Sequence, residues 1–322
     1  MRVLSGMQPS GSPHLGNYLG AMKQHIELQN KHDECFYFIA NYHALTTVRD
    51  PKKLKEMSFE LAVDYLSLGL DPKKSVFFRQ SDIPEHTELT WIFDCITPMG
   101  LLERSHAWKD AKTKGKKEAT VGLFNYPVLM AVDILMYHPH IVPVGKDQKQ
   151  HVEIARDIAT HFNMIFGTTF TLPEAMIKEK IAVIPGTNGE KMSKSYGNTI
   201  DIFAPEDVLK KQVMGIITDS IPLEKPKDPD KCTVFKLYSL LATKNEIQSL
   251  KEKYLRGGFG YGDAKKLLFE KILEELRPYR KAREKILKDK SSVEKILKEG
   301  AEKAKEIAEK TTLDVRRKVG LS

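Results

Sequence analysis

Cys35–Ala40 reads Cys-Phe-Tyr-Phe-Ile-Ala, a run with almost no capacity to face water. A strand this apolar is covered on both faces, as in a parallel sheet layered between helices. Its surroundings fit that arrangement. Val3–Ser5, Ser75–Phe78 and Ile141–Val144 are further short strand candidates. Helical patterns separate them, at Leu15–Asn30, from Asp50-Pro51 to about Leu68, and at Thr87–Cys95, Val128–Tyr137 and Lys149–Phe162. Asp50-Pro51 has the form of an N-cap followed by proline at the first helical position, and Gly69-Leu70-Asp71-Pro72 ends that helix. Strands alternating with helices predict βαβ units and an α/β fold with a doubly wound parallel sheet. The active site of such a sheet lies beyond the carboxyl ends of its strands.

After about residue 204 the strand signal fades. Ala204-Pro205-Glu206-Asp207 opens a helix, and Gly257–Gly262 reads as a turn between helices. Leu267, Leu268, Ile272, Leu273 and Leu276 recur at helical spacing, as do Val293, Ile296, Leu297, Ala301, Ala304, Ile307 and Ala308. The expectation is two domains, residues 1–200 for the sheet and an all-helical C-terminal domain over residues 201–322. The charge divides similarly. Residues 1–204 hold 23 Lys and Arg against 23 Asp and Glu, whereas residues 205–322 hold 28 against 20, which is the whole net charge of +8. This asymmetry fits either a polyanionic partner such as nucleic acid or a solvated Lys/Glu-rich helical surface.

Composition excludes other classes. At 41% hydrophobic residues the chain can bury a core, so it is neither disordered nor fibrous. It has no apolar stretch long enough to span a membrane, and its first nine residues contain no apolar leader core. Cys35, Cys95 and Cys232 are too far apart for a Cys-x-x-Cys pair, and so sparse a set suits a reducing cytoplasm.

Two constellations carry chemistry. The first, Gly6-Met7-Gln8-Pro9-Ser10-Gly11-Ser12-Pro13-His14-Leu15-Gly16-Asn17, runs from the first strand into the first helix. A helix start offers unpaired N–H groups and a positive dipole end, which suits phosphate. His14 and Asn17 can both donate to phosphate oxygens, and Gly16 leaves room for a flat base. Neither a Walker A loop nor Gly-x-Gly-x-x-Gly is present, and an ordinary Gly/Pro/Ser turn fits as well. The second is Pro185-Gly186-Thr187-Asn188-Gly189-Glu190-Lys191-Met192-Ser193-Lys194-Ser195. Its two lysines can converge on a polyphosphate, and a flexible loop lets them close late, on the transition state.

Together these stretches resemble the class I aminoacyl-tRNA synthetase signatures. His14-Leu15-Gly16-Asn17 is similar to the His-Ile-Gly-His motif, and Lys191-Met192-Ser193-Lys194-Ser195 matches Lys-Met-Ser-Lys-Ser letter for letter. Their order and separation suit the compact tryptophan and tyrosine members. Tyr126-Pro127-Val128-Leu129-Met130-Ala131-Val132-Asp133-Ile134-Leu135 resembles the specificity helix of the bacterial tryptophanyl-tRNA synthetases, and Val142–Glu153 resembles that family's Val-Pro-Val-Gly-x-Asp-Gln-x-Gln-His run. The likeness covers nearly the whole chain and is strongest over residues 5–20, 126–160 and 189–198.

The resemblance implies a Rossmann-like catalytic domain at 1–200, carrying a helical insertion and the dimer surface, and an anticodon-binding domain at 201–322. It implies that Asp133 accepts the indole N–H of tryptophan; a donor-only ring is read by a carboxylate on chemical grounds too. Met130 fits tryptophan, because the tyrosine enzymes usually carry glutamine there. Tyr126 and Gln148 meet the amino group, and Gln8, His43 and Leu4 also line the substrate site. Leu4 stands where many members have phenylalanine. Gln8, Pro9, Ser10, Gly16, Asn17, Gly145, Lys146, Asp147, Ile184, Lys191, Met192, Ser193, Lys194 and Ser195 fall to ATP. Gly145 and Asp147 meet its ribose, and Ile184 packs on its adenine. Lys146 replaces a residue that is usually acidic, and Lys112 is assigned to the ATP tail. His14, Asn17, Lys191, Lys194 and Ser195 are the implied catalytic set. Mg²⁺ is expected to ride on ATP phosphates, with no protein metal site, zinc or iron–sulfur cluster. The expected partners are tryptophan, ATP, tryptophan tRNA and a second copy of the chain. A tyrosyl-tRNA synthetase, another ATP-dependent nucleotidylyltransferase and a non-catalytic RNA-binding paralogue are the competing readings.

Overall fold

The computed structural model describes residues 1–106, 108, 109, 119–177 and 183–322. Lys112 and the rest of the 112–118 loop therefore lie outside the described residues. Among the described residues, five parallel strands form one sheet in the order β3-β2-β1-β4-β5: β1 (Arg2–Met7), β2 (Glu34–Ile39), β3 (Ser75–Arg79), β4 (Ile141–Pro143) and β5 (Glu174–Met176). The order reverses at β1, between β2 and β4, so the crevice for a ligand opens where the segments after β1 and β4 diverge. β2 is buried along all but its first residue, Glu34, so the apolar run from Cys35 is covered throughout. Phe36, Phe38, Phe78 and Leu4 join helix Val121–Leu135 and helix Lys149–Phe166 in one core.

By its own contacts the chain divides into two compact units. The first comprises Met1–Gly11, Gln24–Lys178 and Ile286–Ser322, and the second comprises Ser12–Lys23 and Glu179–Lys285. This is not the single cut expected at residue 200. The last helix, Lys290–Val319, packs on β3 within the sheet's own unit, so closely that a Cβ on Gly300 would collide with the carbonyl oxygen of Phe77. In the second unit the first helical turns join the C-terminal helices. Tyr18 Oη donates to Glu275 at 3.0 Å, and Lys23 Nζ reaches the same carboxylate at 3.2 Å.

Element types follow the sequence, with shifted ends. Asp50 caps helix Pro51–Ser67, accepting from the backbone of Lys52 and Lys53. The helix expected from Val128 begins instead at Val121, capped by Thr120, and runs through Pro127. At this interior position proline forfeits its own i→i−4 hydrogen bond and crowds the carbonyl of Leu123, a cost that the packing of the helix must outweigh. β5 is an addition to the expected strands: three residues, none of them buried, leave no period to read.

Candidate active site

A cluster of polar residues of the first unit lies after the carboxyl ends of β2 and β3, and its centre is Asp133. Its helix is apolar almost throughout, so this carboxylate sits only 1% exposed. A buried carboxylate needs partners, and it has them on both oxygens. His43 Nε2 donates to Oδ2 at 2.7 Å. Gln80 Nε2 and His86 Nδ1 donate to Oδ1 at 2.7 and 2.6 Å. Burial works to raise the pKa of Asp133, but the two histidines outweigh it and hold the group down at about 2. Asp133 is therefore an anion at neutral pH that accepts and cannot donate. His43 follows β2, and Gln80 directly follows β3.

A second group lies beside the first. Tyr126 meets His43 edge to face at 6.1 Å between ring centres, and its hydroxyl lies 2.6 Å from His151 Nε2. Burial, with the charge of Asp147, pushes the Tyr126 phenol up to about 12, so it stays protonated. Burial likewise lowers His151, a neutral ring whose Nδ1 has no hydrogen-bond partner among the described residues. Gly145, Lys146 and Asp147 are exposed on the turn after β4, and Gln148 donates to Asp147 at 3.0 Å. Met130 packs, half-buried, against the core that holds Leu4. Gln8, Pro9, Ser10 and Gly11 face Thr47, Lys53 and Met57 across a cleft of about 490 Å³.

The second unit brings its two motifs together. His14 caps the first helix. Its Nδ1 accepts from the Asn17 N–H at 3.2 Å, while Asn17 Oδ1 accepts from the His14 N–H at 3.1 Å. This reciprocal box fixes both side chains. It leaves His14 Nε2 and Asn17 Nδ2 as the donors that the box does not use. Burial, aided by Lys194 and opposed by Asp201, lowers the His14 pKa to about 4, so the ring donates as a neutral group. The Gly16 N–H reaches Met192 Sδ at 3.3 Å, and the Leu15 N–H reaches the Ile200 carbonyl at 2.8 Å. A Cβ on Gly16 would come within 2.9 Å of the His14 ring, so the lack of a side chain there lets that ring lie back against the helix start. Met192 is turned inward, with its N–H on the Ile184 carbonyl, while Lys191 and Lys194 stay exposed. Ser193 and Ser195 share a hydroxyl contact of 2.9 Å.

Asn198 holds this loop in shape. It is 2% exposed; its Nδ2 donates to Asn188 Oδ1 at 2.7 Å and to the Lys191 carbonyl at 3.1 Å, and its Oδ1 accepts from the Ser193 N–H at 2.8 Å. Gln80, His86, Tyr137 and Asn198 are not among the residues that the sequence singles out, and His151, the last residue of the Val-Pro-Val-Gly-x-Asp-Gln-x-Gln-His run, carries no assigned role there. One signal exists for Gln80 and His86, because Gln80-Ser81-Asp82-Ile83-Pro84-Glu85-His86 follows directly on a strand, where such sheets place their sites.

The chain is similar to known proteins over its whole length. The family model described as tRNA synthetases class I (W and Y) matches residues 1–277. The tryptophan–tRNA ligase of Rhodopirellula baltica is 53% identical over 321 residues, covering all of both chains. The ligase of the same name from Fusobacterium nucleatum is 52% identical, covering 99% of this chain and 98% of its own. The chain belongs to the bacterial tryptophanyl-tRNA synthetases. A solved tryptophanyl-tRNA synthetase from Campylobacter jejuni, in complex with ADP and tryptophan, matches all of both chains at 51% identity with a TM-score of 0.93. Against this family the Rossmann-like sheet and the paired signature motifs are as expected, and the tryptophanyl-tRNA synthetase relatives argue against the tyrosine alternative.

Proposed function

We propose that the chain is a tryptophan–tRNA ligase working in two steps. The tryptophan carboxylate attacks the α-phosphorus of ATP, forming tryptophanyl-adenylate and releasing pyrophosphate. The acyl group then passes to a ribose hydroxyl at the 3′ end of tRNA, releasing AMP. The observation that supports this reading is the contact between Gly16 and Met192, which brings a helix start suited to phosphate and a two-lysine loop together across 176 residues of sequence.

The attacking carboxylate is already ionised at pH 7, so the first step requires no general base. What it requires is charge stabilisation on the departing pyrophosphate and in-line placement. Lys191 and Lys194 supply positive charge, and the fixed donors His14 Nε2 and Asn17 Nδ2 supply hydrogen bonds at no reorganisation cost. Ser195, paired with Ser193, is assigned to the same phosphates. Asp133 reads the indole N–H, Tyr126 and Gln148 the ammonium, and His43, Met130, Leu4 and Gln8 enclose the side chain. Gly145 and Asp147 are assigned to the ATP ribose. Among the described residues no group of three or more His, Cys, Asp or Glu is placed to hold a metal ion. Mg²⁺ carried on the ATP phosphates requires none and would neutralise the pyrophosphate.

For tRNA the basic excess is divided, with 18 Lys and Arg against 13 Asp and Glu in residues 205–285 and 10 against 7 in residues 286–322. We assign the anticodon stem to the former, and we expect two copies of the chain in the working enzyme. ATP–pyrophosphate exchange with tryptophan and tyrosine side by side tests the reading. Exchange should favour tryptophan by at least about 10²-fold, as for a site built around one polar reader. Comparable exchange with tyrosine would overturn it. Affinity for tRNA should fall steeply with salt, and salt-independent binding would remove the assigned electrostatic role.

A further inference from the structure

We infer that Gln80, His86 and Tyr137 are positioning residues for tryptophan recognition: they saturate one oxygen of Asp133 and leave the other as the acceptor for the indole N–H. This rests on the reading of Asp133 given above and specifies how that carboxylate is aimed.

The two oxygens of Asp133 are not equivalent. Oδ1 receives two donors, Gln80 Nε2 at 2.7 Å and His86 Nδ1 at 2.6 Å, and its in-plane lone pairs are thereby used. Oδ2 receives only His43 Nε2 among the described residues, so one lone pair remains for a further donor. The side chain cannot rotate to exchange its oxygens without breaking both bonds at Oδ1.

His86 is in turn fixed from behind. Its Nε2 lies 2.8 Å from the Tyr137 hydroxyl, and both residues are 0% exposed. Donor and acceptor senses follow from the chemistry. Asp133 is an anion, so His86 Nδ1 must carry the proton that faces it. In the uncharged form of the ring Nε2 then presents a lone pair, to which the Tyr137 O–H donates. Burial drives the Tyr137 phenol far above its ordinary pKa, which keeps that O–H in place. Without the hydroxyl, the tautomer with its proton on Nε2 would gain ground. That tautomer turns a lone pair toward Asp133 and releases Oδ1. Phe38 and Phe78 lie against these rings, with Phe38 6.3 Å from His86 and Phe78 5.6 Å from Tyr137 between ring centres, so the relay is embedded in apolar surroundings. This is the logic by which the group behind a histidine sets which nitrogen is protonated.

The test uses the full chain and two amino acids: tryptophan, and its benzothienyl analogue, in which sulfur replaces the indole N–H. The wild-type enzyme should prefer tryptophan in ATP–pyrophosphate exchange by about tenfold or more. Tyr137→Phe should raise KM for tryptophan about fivefold, as for one weakened buried hydrogen bond, and move the analogue less than twofold. His86→Asn, which keeps a donor facing Asp133, should retain more of the preference than His86→Leu. Equal shifts for both amino acids in Tyr137→Phe would mean a merely structural role, and no shift for either would mean no role; each overturns the inference while leaving Asp133 as the reader. A wild-type enzyme indifferent between the two amino acids would overturn the Asp133 reading itself, and this inference with it. Should Tyr137→Phe fail to fold, the comparison of His86→Asn with His86→Leu decides instead, and equal preference in those two variants would overturn the inference.

Discussion

Removing the side-chain amide of Asn198 should slow tryptophan activation without touching a substrate-facing group. Asn198→Ala deletes two donated bonds, to Asn188 and to the Lys191 carbonyl, and one accepted bond from the Ser193 N–H. A hydrogen bond contributes about 1 kcal/mol net, so the set is worth about 3 kcal/mol to the loop's present shape. Gly186 adds to the effect: a Cβ there would collide with the Asn198 amide, so that amide lies directly on the glycine backbone, and a smaller residue at 198 leaves a gap. If about half of that energy serves to hold Lys191 and Lys194 in their transition-state positions, adenylate formation slows about tenfold or more. Pre-steady-state adenylate formation at saturating ATP and tryptophan measures this directly. The loss should fall on the rate, with KM for tryptophan changed less than twofold. It should also be non-additive with Lys194→Ala, because both changes remove the same stabilisation. An Asn198→Ala rate within twofold of wild type, or full additivity with Lys194→Ala, would refute the reasoning.

Lys194→Ala alone should slow adenylate formation by about 10²-fold, as for loss of one transition-state donor; an unchanged single-turnover rate would remove the lysine from the mechanism. Stability should fall in mild acid through His25, whose ring is buried with Nδ1 2.9 Å from the Tyr65 hydroxyl. Burial lowers its pKa from 6.5 to about 3, so between those values the unfolded chain binds a proton that the folded chain refuses. Its contribution is complete above pH 6.5 and smaller by about 2 kcal/mol at pH 5, and denaturant titrations of the wild type and His25→Gln should differ in their pH dependence accordingly. Gly300→Ala should cost about 1–3 kcal/mol, read as a lower thermal midpoint, because its methyl group would meet the backbone of β3.

Much of this site can be read from the residue string, for reasons that differ by position. The lysine loop and the helix-start motif are contiguous, so their chemistry is legible without knowing the fold. Asp133 stands out because a carboxylate interrupts an apolar helix and must be partnered if buried. The partners are legible only in part. Gln80 and His86 reach Asp133 from the single stretch after β3, and Tyr137, one helical turn beyond Asp133, meets it only through His86; local periodicity does not mark such a meeting. The strands β1 to β4 are visible because their apolar runs are strong, whereas three-residue β5 carries no pattern. The helical tail is recognisable as helical, but not that its last helix belongs with the sheet. Helical spacing reports that a face is buried and is silent about what buries it.

That last helix has a consequence for anyone who would trim the protein. β3 is the outermost strand of its sheet, and Gly300 lets the helix lie directly on its main chain with no side chain between. A version of the chain ended before residue 290 would strip this sheath from a Phe-rich edge, offering its uncapped ladder to other molecules. Such a truncation should yield aggregates rather than a minimal tryptophan-activating core.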